Sequence, residues 1–192
     1  MFQIAESRRD YVRELSLHIL DIAQNSIEAG AANIEIVISE DESSDVLTIL
    51  IADDGRGIPA EILESIADPF VTSRKTRRVG LGIPLFREAA RMAGGDLKIR
   101  SRVGEGTEIT ADFRLSSIDR APLGDMAETM ALLIVCNPDV NFKYQHTRGH
   151  AKFVCSTNTL VEILGDIPIG SPSAVPVIRS VIREGLKDVQ VS

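Results

Sequence analysis

Residues 45–52, DVLTILIA, are a nearly continuous β-branched and apolar run. Such a run reads as a β-strand, and apolar residues at both parities predict a strand buried on both faces. The segment before it, residues 33–40, alternates instead: Ile34, Ile36 and Ile38 interleave with Glu35, Val37 and Ser39. That period of two gives one clearly apolar face. The polar stretch EDESSD between them reads as a hairpin loop. A chain with this hairpin must build a sheet and supply helices to cover it.

The flanking sequence supplies them. Residues 10–29 read as one long helix, with Leu15, Ile19, Ile22, Ser26 and Ala29 recurring at spacings of three and four. Asp10 suits its N-cap and Gly30 its stop. Residues 53–59 form a Gly-rich turn, 60–67 a short helix and 68–79 a polar, basic loop. A helix over 81–93 ends at Gly94-Gly95, and two strands follow over 96–102 and 107–115. The order is α-β-β-α-loop-α-β-β, which predicts an α+β two-layer sandwich with helices on one face of a mostly antiparallel, mixed sheet. The composition shifts over 116–124, which reads as a linker. The sequence thus divides into a first domain, 1–117, and a C-terminal accessory region, 118–192. The latter offers a helix at 125–136, a hairpin of 140–147 with 151–157, and helices at 159–164 and 175–187.

Composition narrows the function. Among 192 residues, 28 acidic against 21 basic side chains leave a net charge of −7. An acidic chain is repelled by the phosphate backbone, so nucleic acid is not the expected partner. No apolar run reaches the ~20 residues of a membrane helix, and MFQIAESRRDY has no signal-peptide core. Two cysteines make no disulfide framework, so the expected compartment is the cytoplasm.

Four short motifs carry the chemistry. In the first helix, Asp21, Asn25 and Glu28 share one face at i, i+4 and i+7. Such a set suits a hydrated Mg²⁺, and equally a solvated polar stripe. Asp53-Asp-Gly55-Arg-Gly57-Ile58-Pro then follows the apolar strand directly. A carboxylate at the end of such a strand needs a donor partner, and the amino group of adenine is one; a ligand-free turn is the alternative. Four basic residues in 74–78 run into Gly80-Leu81-Gly82 at a helix start, where backbone N–H groups attract phosphate. The alternative is an exposed basic loop. Last comes Gly104-Glu-Gly106-Thr107, by itself an ordinary hairpin turn.

Together and in this order, the four resemble the nucleotide-binding boxes of the GHKL superfamily, over about residues 8–116. That superfamily includes DNA gyrase, heat-shock chaperones, bacterial histidine kinases and mismatch-repair ATPases. NSIEAGA and DDGRGIP look like the gyrase and mismatch-repair boxes. DPFVTSRKTRRVGLGI and GGDLKIRSRVGEGTEITADF look like a histidine kinase with a short ATP lid, which is the nearest branch. The resemblance implies ATP and Mg²⁺ as ligands. It implies Asn25 as the Mg²⁺ ligand and Asp53 at adenine, with Gly55, Gly57 and Ile58 around the base. Phe70 and Thr72 fall in the F-box, Lys75 in the lid, Gly80, Leu81 and Gly82 in the phosphate-binding box, and Thr107 near adenine. Hydrolysing members carry Glu four residues before the Asn; here Asp21 stands there, one methylene shorter, as the candidate catalytic residue. No helical hairpin with a phosphoacceptor histidine is evident, and His18 lacks acceptor-box surroundings and reads as structural.

The expectation is therefore a stand-alone, kinase-like phosphotransferase acting on a separate protein acceptor. The alternatives are an ATP-gated binding module and a weak ATPase of the gyrase or mismatch-repair type. In the accessory region, Cys136, His146, His150 and Cys155 lie within twenty residues of one another, but at spacings that fit no zinc pattern. The cysteines read as small core residues and the histidines as flanking a hairpin turn.

Overall fold

The structure is a computed structural model that describes residues 14–67 and 82–191. Among the described residues twelve elements follow in order. The first six are α1 (Leu15–Glu28), β1 (Asn33–Asp41), β2 (Val46–Asp53), α2 (Ala60–Ala67), α3 (Gly82–Met92) and β3 (Leu97–Arg102). Then come β4 (Gly106–Arg114), α4 (Met126–Cys136), β5 (Asn141–Arg148), β6 (Ala151–Ser156), α5 (Thr157–Leu164) and α6 (Ala174–Val191). The expected N-cap Asp10 and the basic loop of 68–79 lie outside the described residues.

The strands form one six-stranded sheet in the order β3-β4-β2-β1-β5-β6. All neighbours are antiparallel except β1 and β5, which run parallel from Asn33↔Asn141 to Glu40↔Arg148. The class is α+β with a mixed sheet, as the element order implied.

Alternation decides which face is covered. Ile34, Ile36 and Ile38 of β1, Leu47, Ile49 and Ile51 of β2, and Ile109, Ala111 and Phe113 of β4 are all buried. They join one core with Ile19 and Ile22 of α1, Phe86 of α3, Met130 of α4 and Ile178 and Ile182 of α6. On the other face of β2, Val46, Thr48, Leu50 and Ala52 are only half-buried, so the expectation of a strand buried on both faces is corrected. Shelter on that face comes sideways from neighbouring strands. Thr48 donates to Asp112 of β4 at 2.8 Å, and Glu35 of β1 pairs with Lys143 of β5 at 2.8 Å. A central strand can therefore be apolar at both parities without a second helical layer.

The accessory region joins this core. Its hairpin extends the sheet beyond β1, and α4 packs on both α6 and α1. The linker is fastened as well. The first amides of α1, on Leu15 and Ser16, donate to the carbonyls of Pro122 and Leu123 at 2.9 and 2.8 Å. Those donors would otherwise be orphans of the helix start.

Candidate functional site

The site grows from the end of β2. Register sets Asp53 opposite Thr107 of β4, and Thr107 opposite Ser101 of β3. Cross-strand partners share a face, so these three polar side chains form a row on the side that carries the helices. From above, Ser26 of α1 donates its hydroxyl to Asp53 Oδ2 at 2.6 Å, while the Gly55 amide donates to Oδ1 at 2.9 Å. A hydrogen bond to a charged group of this kind contributes ~1.5–3 kcal/mol.

The turn after Asp53 is tied down on several sides. Asp54 Oδ1 accepts from the Ala32 and Asn33 amides at 2.8 and 2.9 Å, and Oδ2 accepts from the Asn33 side chain at 2.7 Å. The Asn33 side-chain bond, aided by these amides, holds the Asp54 carboxyl below its ordinary range. The Arg56 amide donates to Ala29 O at 3.0 Å, and the Gly104 amide to Arg56 O at 2.9 Å. Gly57 has φ +70°, and any Cβ there would strike the Arg102 carbonyl. Gly106, at φ +102°, lies against the Asp53 carbonyl in the same way. The turn after β2 and the turn before β4 thus stack backbone on backbone, a closeness only glycine permits.

Under these turns lies a cavity of about 490 Å³. Ile22, Ile58, Ile62, Ile83 and Ile109 make its apolar walls. Asp53, Ser26, Thr107 and Asn25 give it polar groups, and the exposed Arg56 and Val103 stand at its rim. A mostly apolar cavity with a few placed polar groups is the usual form of a small-molecule site.

The structure brings most of the sequence-derived candidates to this cavity. Asn25, Asp53, Gly57, Ile58 and Thr107 line it, and Gly55 packs on Ala29 beside it. Asp21 and Asn25 face the start of α3: a Cβ on Gly82 would lie 3.2 Å from Asp21 Cβ and 3.8 Å from Asn25 Nδ2. Phe70, Thr72, Lys75, Gly80 and Leu81 lie outside the described residues.

Two members of the site were not singled out from sequence. Ser26 falls in the apolar stripe of α1, where its signal is being the one hydroxyl. Ser101 gave no signal, since its place beside Thr107 follows from β3–β4 register.

The remaining candidates lie elsewhere. His18 is buried and stacks on Phe86 at 5.3 Å between ring centroids. Cys155 is buried, which pushes its thiol up to about 11. Cys136 is exposed at the end of α4, correcting its reading as a core residue. His146 does not flank the turn; it is buried within β5, bonded to Glu40 at 2.8 Å and to the Tyr144 hydroxyl at 3.1 Å. Only His150 sits in the exposed turn. Among the described residues no group of three or more His, Cys, Asp or Glu side chains is arranged to hold a metal ion, and no helix is long and apolar enough to cross a membrane.

Comparison with known proteins agrees with this geometry. Residues 11–117 match the family described as histidine kinase-, DNA gyrase B- and HSP90-like ATPase. The chain belongs to that family. Sporulation kinase D of Bacillus subtilis is 32% identical over 114 residues, covering 59% of this chain and 22% of that protein. Histidine protein kinase DivJ of Caulobacter vibrioides is 30% identical over 102 residues, covering 51% of this chain and 17% of that protein. The chain thus spans about a fifth of the length of these relatives. The crystal structure of the N-terminal domain of a DNA repair protein superposes with a TM-score of 0.54 at 16% identity, covering 80% of this chain and 57% of that one. That likeness is one of fold.

Proposed function

We propose that this chain binds ATP with Mg²⁺ and passes the terminal phosphoryl group to an acceptor on a separate protein. The observation that carries the reading is the Asp53 carboxylate at an apolar cavity. Two of its four lone-pair positions accept from Ser26 and the Gly55 amide, leaving positions to accept from an exocyclic amine. Ile22, Ile58, Ile83 and Ile109 suit the faces of a planar base. The phosphates would lie toward α3, whose first residue, Gly82, adjoins Asp21 and Asn25. Backbone amides at a helix start attract phosphate. Lys75, Gly80 and Leu81, with Phe70 and Thr72, would complete that end.

The donor set fits Mg²⁺: Asn25 offers a neutral oxygen and Asp21 a charged one, four residues apart on one face. Asn25 would hold the ion, which when bound neutralises phosphate charge. Asp21 would orient the attacking acceptor and take its proton. Its shorter reach than Glu supports transfer to a positioned acceptor over hydrolysis of water.

A second reading rests on packing. The α1 helix, which carries Asp21 and Asn25, also packs on α4 of the accessory region. Nucleotide at α1 would then be reported to that region, as in an ATP-gated binding module in the cytoplasm.

Incubation with γ-labelled ATP and Mg²⁺, with and without cell extract, separates these. Label entering an extract protein, and lost in Asp21→Ala, supports phosphotransfer. Phosphate release without a labelled protein would make the chain an ATPase. ATP binding with neither outcome would leave the gated module.

A further inference from the structure

The row Ser101–Thr107–Asp53 holds a hydrogen-bond order that its distances fix. Ser101 Oγ lies 2.7 Å from the Gly106 carbonyl oxygen, which can only accept. The single hydroxyl proton of Ser101 is therefore directed there. The Ile58 amide donates to Ser101 Oγ at 2.8 Å, filling one of its two acceptor positions. Thr107 Oγ1 lies 2.9 Å away. With the Ser101 proton already placed, Thr107 must be the donor in that contact, and Ser101 is then saturated with one bond given and two received. The Thr107 proton points at Ser101, and only its lone pairs remain.

Ser26 behaves in the same way. Its neighbours, Asp53 Oδ2 at 2.6 Å and Ile22 O at 3.3 Å, are both acceptors, so its proton stays within the protein. Hydroxyl protons are thus committed on both sides of Asp53, and what Asp53 and Thr107 offer a ligand is acceptor positions alone.

From this order we infer that Ser101 is a specificity-determining positioning residue. Without touching the ligand, it holds Thr107 as an acceptor beside Asp53, so that the pair selects a 6-amino purine and rejects a 6-oxo purine. The inference rests on the adenine reading of Asp53. An exocyclic amine has two N–H groups, one for each acceptor. A 6-oxo purine could still offer its N1–H to Asp53, but its oxygen would then need a donor, and Thr107 could not turn a proton toward it while Ser101 holds that proton. A site whose polar groups match one ligand edge discriminates strongly against the wrong edge.

The test compares ATP with inosine triphosphate, its 6-oxo analogue, by calorimetric titration of the full chain. The unaltered protein is expected to prefer ATP by about a hundredfold or more. Ser101→Ala releases the Thr107 proton, so the preference should fall about tenfold, with inosine triphosphate binding more tightly than before. Ser101→Thr keeps a hydroxyl that can receive and give as before, and should retain the original preference. Ser101→Cys keeps the side-chain shape with a somewhat larger atom, and a thiol is a weak donor and acceptor. It should shift the preference in the same direction, and it serves if the alanine variant does not fold. Loss of Thr107 packing or of turn support would weaken both ligands alike and leave their ratio unchanged. A preference unchanged in both Ser101→Ala and Ser101→Cys, or one that falls only through weaker ATP, overturns the role of Ser101 while ATP binding stands. If the unaltered protein binds neither nucleotide, the adenine reading fails and this inference with it.

Discussion

At Asp53 one carboxylate meets a hydroxyl, a backbone amide and an apolar cavity. Asp53→Asn keeps the shape and replaces one acceptor oxygen with a donor, which then faces either Ser26 or the Gly55 amide, and leaves one oxygen fewer for the ligand amine. ATP affinity should fall at least about tenfold, since a charge-assisted bond is lost and a donor opposes a donor. Titration of ATP into both proteins checks this, with the thermal midpoint as control for folding. Asp53 and Asn25 are legible in the sequence because a carboxylate after an apolar strand, or polar residues at i and i+4 on a helix, signal a shared surface locally; Thr107 is legible only through the resemblance carried by the four motifs together. Ser26 and Ser101 acquire their roles only through contact. One is a hydroxyl in an apolar stripe and the other a polar residue in an alternating strand. Neither pattern says which partner lies across the gap.

Among elements, the β1–β5 pair shows what local pattern reveals and what it leaves out. The hairpin of β5 and β6 was legible from alternation and from Arg148-Gly149. Its parallel seat on β1 was not, because alternation orients a strand and names no neighbour. His146 shows the same limit: its parity places it with Phe142 and Tyr144 on the buried face, and only the seat beside β1 gives it Glu40. The His146 bond, followed by the positive charges of Arg148 and Arg120, holds the Glu40 carboxyl below its ordinary value of 4.5 despite burial. In the folded chain Glu40 thus binds its proton less readily than in the unfolded one. Its contribution is present above that ordinary value and is lost as pH falls through the lower folded value. Glu40→Gln should therefore unfold a few degrees earlier than the parent near pH 7, the size expected for a change of about 1 kcal/mol. The gap should close as pH falls below 4.5 and through the lower folded value. Melting curves across that range measure it, and a gap that widens in acid would rule the linkage out.

For the whole molecule, the family match ends at residue 117 but the core does not. Beyond that point lie the strand that covers the edge of β1, the helix that packs on α1, and the carbonyls that receive the first amides of α1. A chain stopped at 117 would open an edge rich in Ile and strip one flank of the core. Exposed edges of this kind promote association. We expect residues 1–117 alone to show no cooperative thermal transition and to aggregate, where the full chain melts in one step. A sharp, reversible melt of the shorter chain would show the first region to be self-sufficient.

The parallel seating of β5 on β1 also sets an order of events during synthesis. Asn33 and Asn141, which begin that pairing, are 108 positions apart. Contacts of such long range close late, because the intervening chain must first be gathered. The hairpin of β1 and β2 can form as soon as it leaves the ribosome, but its outer edge stays bare until β5 has been made. Over that interval the nascent chain presents an apolar edge strand to its surroundings. Translation speed through residues 118–148, and chaperone capacity at that moment, would therefore govern the yield of native protein more than the stability of the finished fold.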